Sequence, residues 1–237
     1  MTMQTYTAAE LQEVWRLHKL WLEGELGGSR ADLRNADLRN ADMRYADMRY
    51  AEMSGAEMSG ADMQNAILTS ANMRSADMRH SDMRNANMRS ADMRHSDMRS
   101  ADMRNADMRN ADMRSADMRS ADMRCADMRS ADMSGALMNR AMLNGANMRS
   151  AVLTTGESWE KYLSVVVPAL CQAGGQPLVA VADAWNCHEW SNCPMRVAFG
   201  VRDEKDYPLL LQPRVAQFVQ LFDAGLIKKP VAVVLST

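Results

Sequence analysis

The residues best suited to chemistry stand close together near the C-terminus, in the stretch WNCHEWSNCP at 185–194. Cys187, His188 and Cys193 are residue types that bind zinc, and Cys171 could complete such a set. However, five residues separate Cys187 from Cys193, whereas paired zinc-binding cysteines are usually about two to four residues apart. Adjacent Cys and His side chains also rarely point the same way. We therefore favour a buried corner between helices and expect no metal or cofactor, with Cys187, His188 and Cys193 as the candidates if a metal is bound.

The same stretch contains the residue types of a cysteine nucleophile, since Cys187 is followed by His188 and Glu189. Neighbours in sequence do not form a Cys–His pair in space, and no glycine-rich or oxyanion-binding feature accompanies them. We therefore expect no catalytic residues and no enzymatic activity. The residues predicted instead to contact a protein partner are Trp185, His188, Trp190 and Arg196.

These residues follow a five-residue repeat that occupies more than half of the chain. Twenty-five units run in register from Ala31 to Thr155, and ADMRN at 101–105 is a typical one. The first position is Ala in twenty-three units, and the central position is Met in twenty and Leu in five. On an α-helix the central residues would scatter around the whole circumference, and on a long strand they would alternate between faces. The period therefore excludes both elements.

A short strand followed by a corner satisfies this period. In ADM at 101–103 the first and third side chains share one face, and the second takes the other. We expect Ala and Met to point inward and Asp outward, with Arg104 and Asn105 at the corner, where Asn, Ser and Gly recur. Four corners close a coil of twenty residues, and such coils stack at about 4.8 Å. The twenty-five units make six and a quarter coils.

The tandem units ADLRN at 31–35 and 36–40 resemble the pentapeptide repeat family. The resemblance covers 31–155 and implies a mainly β fold, a right-handed quadrilateral parallel β-helix, or solenoid. It also implies a DNA-mimic activity on DNA gyrase or another topoisomerase, because several members resemble duplex DNA in size and negative charge. The stretch W-x-CHEW-x-NCPM at 185–195 is similar to a C-terminal module of uncharacterised phage and bacterial members.

The charges of the outward positions argue against DNA mimicry. Residues 31–155 contain eighteen acidic residues and eighteen Arg, so the repeat is formally neutral, whereas mimicry needs a strongly acidic field. We expect the columns of Arg to offset the repulsion between stacked acids. Direct nucleic-acid binding is equally disfavoured, because the Arg residues stand beside Asp and no aromatic residues are interleaved for base stacking.

The central position departs from the family, which usually has Leu or Phe where this chain has Met. Met is flexible and apolar and fills the place of Leu, so core packing is the favoured interpretation. The alternative is a column of thioethers for a soft metal such as Cu(I). That alternative is disfavoured because the sulfur atoms would face a closed, dry core.

The N-terminal end of the repeat needs a cap, because open strand edges invite aggregation. The sequence TAAE at 7–10 is a capping box that predicts a helix from Ala8, and Gly24 ends it. We interpret this helix as a lid over the first coil, with His18 packed in the lid rather than acting as a ligand. Its apolar face is formed by Leu11, Val14, Trp15, Leu17, His18, Trp21 and Leu22.

The chain therefore divides into three predicted parts. Residues 1–30 form the N-terminal capping helix, 31–155 the β-helix of twenty-five repeats, and 156–237 a small α-helical domain whose helices begin near prolines. Near its C-terminal end the repeat carries three apolar residues at outward positions, and these need a cover. We expect the C-terminal segment to fold back over these residues, Leu137, Met142 and Val152.

Bulk properties favour a cytoplasmic protein. The net charge is −2, no apolar run approaches the roughly 20 residues of a membrane span, and the first residues lack the features of a signal peptide. The four Cys would be a liability under oxidising conditions. We expect a non-enzymatic interaction protein whose C-terminal domain binds a protein partner or forms a homodimer. The alternatives are a modulator of gyrase and a metal-binding module in the C-terminal domain.

Overall fold

The computed structural model describes residues 3–138, 140–143 and 145–153, together with residues 156, 158, 161, 217, 218 and 221. The chain forms two compact units, 1–159 and 160–237. Strand β1 (Gln4–Thr5), helix α1 (Ala8–Glu23) and strand β2 (Ala36–Asp37) belong to the first unit. The predicted helical domain at 156–237 lies almost wholly outside the described residues.

The repeat forms a ladder of single-residue bridges rather than long strands. Each bridge joins the second positions of two units that are twenty residues apart, as with Asp102 and Asp122, and all bridges between repeat units are parallel. The series runs from Asp32 and Glu52 to Asp132 and Val152. Four units therefore make one coil, as the period predicted. We call residues 31–153 the repeat rod.

Backbone hydrogen bonds hold each unit to the coils on either side. The Asp122 N–H donates to the Ala101 carbonyl at 2.9 Å, the Met103 N–H to the Asp122 carbonyl at 2.7 Å, and the Asn105 N–H to the Arg124 carbonyl at 3.0 Å. The N–H of the first residue in the next unit closes the corner by donating to the Met103 carbonyl at 3.1 Å. Four of the five N–H groups in a unit are thus paired by backbone alone.

The corner depends on a left-handed residue at the fifth position. There φ is 58° at Asn105 and 56° at Ser100, and other units are alike, including those with Tyr45 or Cys125. Gly, Asn and Ser tolerate or stabilise this conformation more readily than bulky residues do. Their recurrence at the corners therefore has a steric origin.

The interior of the rod is formed by the first and third positions. The Met and Leu side chains at the centre and the Ala side chains at the first position are buried throughout most of the rod, and Ser81 and Ser96 take the place of Ala in two units. Each of these two hydroxyls donates to the Met carbonyl three residues earlier, at 2.7 and 2.6 Å. The burial confirms the predicted inward positions.

Helix α1 begins at Ala8 and ends before Gly24, as its caps predicted. The Thr7 hydroxyl accepts from the Glu10 N–H at 3.2 Å, the Glu10 carboxylate accepts from the Thr7 N–H at 2.7 Å, and Gly24 has φ of 73°. Strand β1 pairs in parallel with β2 and so adds one strand below the first coil. The apolar face is less buried than expected, since Leu11 and His18 are its only buried residues.

The segment predicted to cover the outward apolar residues lies almost wholly outside the described residues, so this cover stays a prediction. Leu137 and Met142 are 49% and 42% exposed. Val152 is partly buried and forms an antiparallel bridge with Ser158. The local pattern showed that these side chains face outward, but it carried no information on whether another segment reaches them.

Replacing the four Met of one coil by Leu is expected to raise the melting temperature by a few degrees. Met103, Met108, Met113 and Met118 are all completely buried, and each Leu loses about 1 kcal/mol less side-chain entropy on burial than Met does. Circular dichroism melts of the quadruple variant and of a control, Met3→Leu at an exposed position, measure the effect. A fall of several degrees in the quadruple variant would contradict the expectation.

Candidate interaction surface

The residues selected from the sequence as a metal site or a partner contact lie outside the described part of the chain, and their roles stay predictions. Elemental analysis of the purified protein tests the metal site. Among the described residues, no group of three or more His, Cys, Asp or Glu could hold a metal ion. The residues concerned are Trp185, Cys187, His188, Trp190, Cys193 and Arg196. The surface that the structure does define is the outward face of the rod.

Each typical unit carries a closed motif of Asp and Arg. The Asp102 Oδ1 atom accepts from the Arg104 backbone N–H at 3.2 Å and from its Nε at 2.8 Å, and the Arg104 Nη2 donates to Oδ2 at 2.6 Å. The Arg104 guanidinium thus donates to both carboxylate oxygens, and this bidentate geometry is the strongest for such a pair. The N–H of the fourth residue, here Arg104, is the one that the backbone ladder leaves unpaired, and this carboxylate accepts its hydrogen bond.

The motif is extended between coils by a longer contact. The Arg104 Nε lies 3.7 Å from the Asp122 carboxylate of the next coil, and Arg94 lies 3.4 Å from Asp112 in the same arrangement. Stacked carboxylates would repel one another at strand spacing, and an Arg between them offsets that repulsion. The predicted role of the Arg columns is therefore present in the geometry.

Pairing with Arg shifts the protonation of the carboxylates. Hydrogen bonds from the Arg39 side chain and backbone lower the pKa of Asp37 to about 2, and Arg44 does the same for Asp42. The pKa of each of these Arg is raised in turn by the hydrogen bond to the carboxylate. Both members of a pair remain charged over the physiological range.

The sequence pattern did not reveal that the side chain of the second residue accepts a hydrogen bond from the backbone. All sixteen Asp and all three Asn at this position accept a hydrogen bond from the N–H two residues later. Asn72, Asn87 and Asn147 keep the acceptor without the charge. The acceptor is therefore the property common to all these units.

A correlation within the sequence could have revealed this role. Every Arg at the fourth position follows an Asp or Asn at the second position. In the six units whose second residue is Glu, Ile, Leu, Met or Val, the fourth residue is always Ser, Thr or Asn. These short side chains can bond to nearby backbone themselves. The residue types at the second and fourth positions of a unit are therefore correlated.

His18 is the buried titratable residue of α1. Its Nδ1 accepts from the Ala31 N–H at 3.0 Å, and its ring stacks on Trp21 with the centroids 5.5 Å apart. Burial lowers the pKa of His18 below its ordinary value of 6.5. The ring is therefore neutral with its proton on Nε2. As expected, His18 is a packed residue of the lid.

The family comparison matches the repeat. The sequence model described as "Pentapeptide repeats" matches residues 29–65, 66–105, 96–135 and 126–154, which together span more than half of the 237 residues. A comparison with curated proteins finds no match. Within the described residues, no helix combines the length and the apolar character needed to cross a bilayer.

Solved structures of other pentapeptide repeat proteins are similar to parts of the chain. One, from the cyanobacterium Cyanothece, is 22% identical, with a TM-score of 0.37, and the match covers 41% of this chain and 64% of that protein. A protein of the Arabidopsis thaliana thylakoid lumen is 22% identical, with a TM-score of 0.40 and coverage of 48% and 73%. QnrB1, a plasmid-mediated fluoroquinolone resistance protein, is 19% identical, with a TM-score of 0.30 and coverage of 50% and 77%.

Acid is expected to destabilise the rod. Because the pKa of Asp37 and Asp42 is about 2 in the folded state against an ordinary 3.8, the unfolded chain binds these protons first as the pH falls. The stabilisation that these two ion pairs contribute is therefore present above about pH 4 and is lost as the pH falls toward about 2. Melting temperatures by circular dichroism at these two values and at neutral pH measure it. An unchanged melting temperature at the lowest pH would show that the pairs contribute nothing.

The lid is expected to weaken below about pH 6.5. Because burial lowers the pKa of His18, the stability that it contributes is full above its unfolded pKa and falls as the pH drops through the folded value. Protonation of Nδ1 also removes the acceptor for Ala31. Tryptophan fluorescence melts between about pH 7.5 and 5.5 should show this loss in the wild type and not in His18→Gln. The same loss in both proteins would refute the role of His18.

Proposed function

The chain belongs to the pentapeptide repeat family, and from this premise we propose that it is a non-enzymatic interaction protein. The rod supplies a regular, self-neutralised surface, and the C-terminal segment binds a protein partner or a second copy of the chain. Membership also supports the right-handed sense of the quadrilateral coil. In this proposal the protein is cytoplasmic, where its four Cys stay reduced.

The observation that carries the proposal is the closed Asp–Arg motif. In the typical unit each Arg is gripped by the carboxylate of its own unit, as Arg104 is by Asp102, so the charged side chains have little rotamer freedom left to lose. A pre-ordered surface of this kind reduces the entropy cost of binding another protein. Because its interior is filled by buried side chains, the rod can contact other molecules only through its surface.

The charge balance also selects the class of partner. Residues 31–155 carry as many acids as Arg, so the rod has no long-range field of one sign to attract DNA or to imitate it. Short-range contacts with a protein do not need such a field. The proposed contact residues are aromatic or Arg, the types that dominate interface energies, and they are Trp185, His188, Trp190 and Arg196.

The partner contact is tested by affinity capture with the full chain and two variants. The double variant Trp185→Ala/Trp190→Ala should lose a partner that the wild type retains, while Arg89→Ser, a substitution on the rod, should keep it. Circular dichroism must show equal helix content in all three proteins. Equal capture by all three would contradict the proposed residues, and light scattering shows whether the retained partner is a second copy.

The gyrase alternative is separated by a supercoiling assay with purified gyrase. The neutral rod predicts that the protein leaves the rate of supercoiling unchanged, both alone and with a fluoroquinolone present. Inhibition of gyrase, or its protection from the drug, would replace the present proposal with the family's topoisomerase activity. A bovine serum albumin control at equal concentration excludes crowding effects.

A further inference from the structure

One corner of the rod forms a cleft of about 420 Å³ that is lined by arginine and serine. Its lining consists of Arg99, Ser100, Arg119, Ser120 and Arg140. The first four are the fourth and fifth residues of two stacked units, and Arg140 is the fifth residue of the unit stacked next. The cleft therefore lies within one column of corners.

The column of acids ends at this place. Arg99 contacts two carboxylates, Asp97 at 2.6 Å and Asp117 of the next coil at 3.7 Å. Arg119 pairs with Asp117, but the position that would supply its second carboxylate is Leu137. The guanidinium of Arg119 thus lacks the contact between coils that Arg99 has.

Arg140 adds a third guanidinium to the same corner. Its side chain is exposed, and within the described residues it forms no ion pair. The equivalent corner of the adjacent face has Cys125 and Gly145 at the matching positions and so has no third cation. Three guanidiniums and the carboxylates of Asp97 and Asp117 leave a net charge of +1 around the cleft.

We propose that this cleft binds the diphosphate group of a small molecule. Guanidinium groups match the oxygen atoms of phosphate in pairs, and the Ser100 and Ser120 hydroxyls supply further donors. The volume suits a small ligand. Among the described residues the lining has no aromatic side chain, so recognition by these residues depends on the charged group. None of these lining residues belongs to the C-terminal segment that is proposed to bind a partner.

Isothermal titration with inorganic pyrophosphate tests the site through two variants that restore the repeat. Arg140→Ser installs the residue found at the two preceding corners, Ser100 and Ser120, and Leu137→Asp gives Arg119 its missing carboxylate. Each should weaken binding by about tenfold or more, because each removes or offsets a charge-assisted contact. The control Arg89→Ser, on another face, should change the affinity by less than about twofold.

Three titration results would each overturn the proposal. They are equal affinity for pyrophosphate in the wild type and both test variants, equally tight binding of acetate, and no binding at millimolar pyrophosphate. Retention of duplex DNA that falls as much in Arg89→Ser as in Arg140→Ser would also overturn it, since the Arg columns would then bind anions generally. A parallel titration with ADP identifies the source: tighter binding of ADP indicates a nucleotide, and equal binding indicates free diphosphate.

Discussion

The rod depends on one hydrogen bond that is repeated along its length, from the backbone N–H of the fourth residue to the side chain of the second. Backbone hydrogen bonds pair the remaining four N–H groups of a typical unit. A donor left unpaired at a tight corner costs free energy. The carboxylate that satisfies this N–H is held in place by it, and the Arg of the same unit can then grip both oxygen atoms, as Arg104 does with Asp102. The corner, the ion pair and the neutral surface therefore all depend on this one hydrogen bond.

This arrangement explains why the proposed diphosphate site lies where the motif is broken. A regular unit presents a paired Asp and Arg with no net charge, and one such face of the rod resembles the next. At Leu137 the column of acids stops, and at Arg140 an unmatched cation is added. The surface there differs in charge and polarity from every regular corner, which makes it the place where a specific ligand could be recognised.

Much of the fold follows from the sequence, because a period of five leaves few options for Ala and Met to share an interior and because TAAE at 7–10 and Gly24 set the bounds of α1. The second carboxylate that many of the Arg contact, as Arg104 contacts Asp122, could not be read from single units, since it comes from the next coil. The bond of His18 to Ala31 and the exposure of Leu137 likewise depend on docking over a distance. The roles predicted for residues 185–196 depend on packing outside the described residues.

The most direct test compares two sets of substitutions in the coil at 101–120, with Asp102, Asp107, Asp112 and Asp117 all changed to Asn or all changed to Ala. Asn keeps the acceptor for the backbone and loses the charge, whereas Ala loses both. Melting by circular dichroism should show a small decrease for the Asn set and a much larger one for the Ala set, since each unpaired N–H costs about 1 kcal/mol or more. Equal decreases in the two sets would show that charge pairing, and not the backbone hydrogen bond, supports the corner.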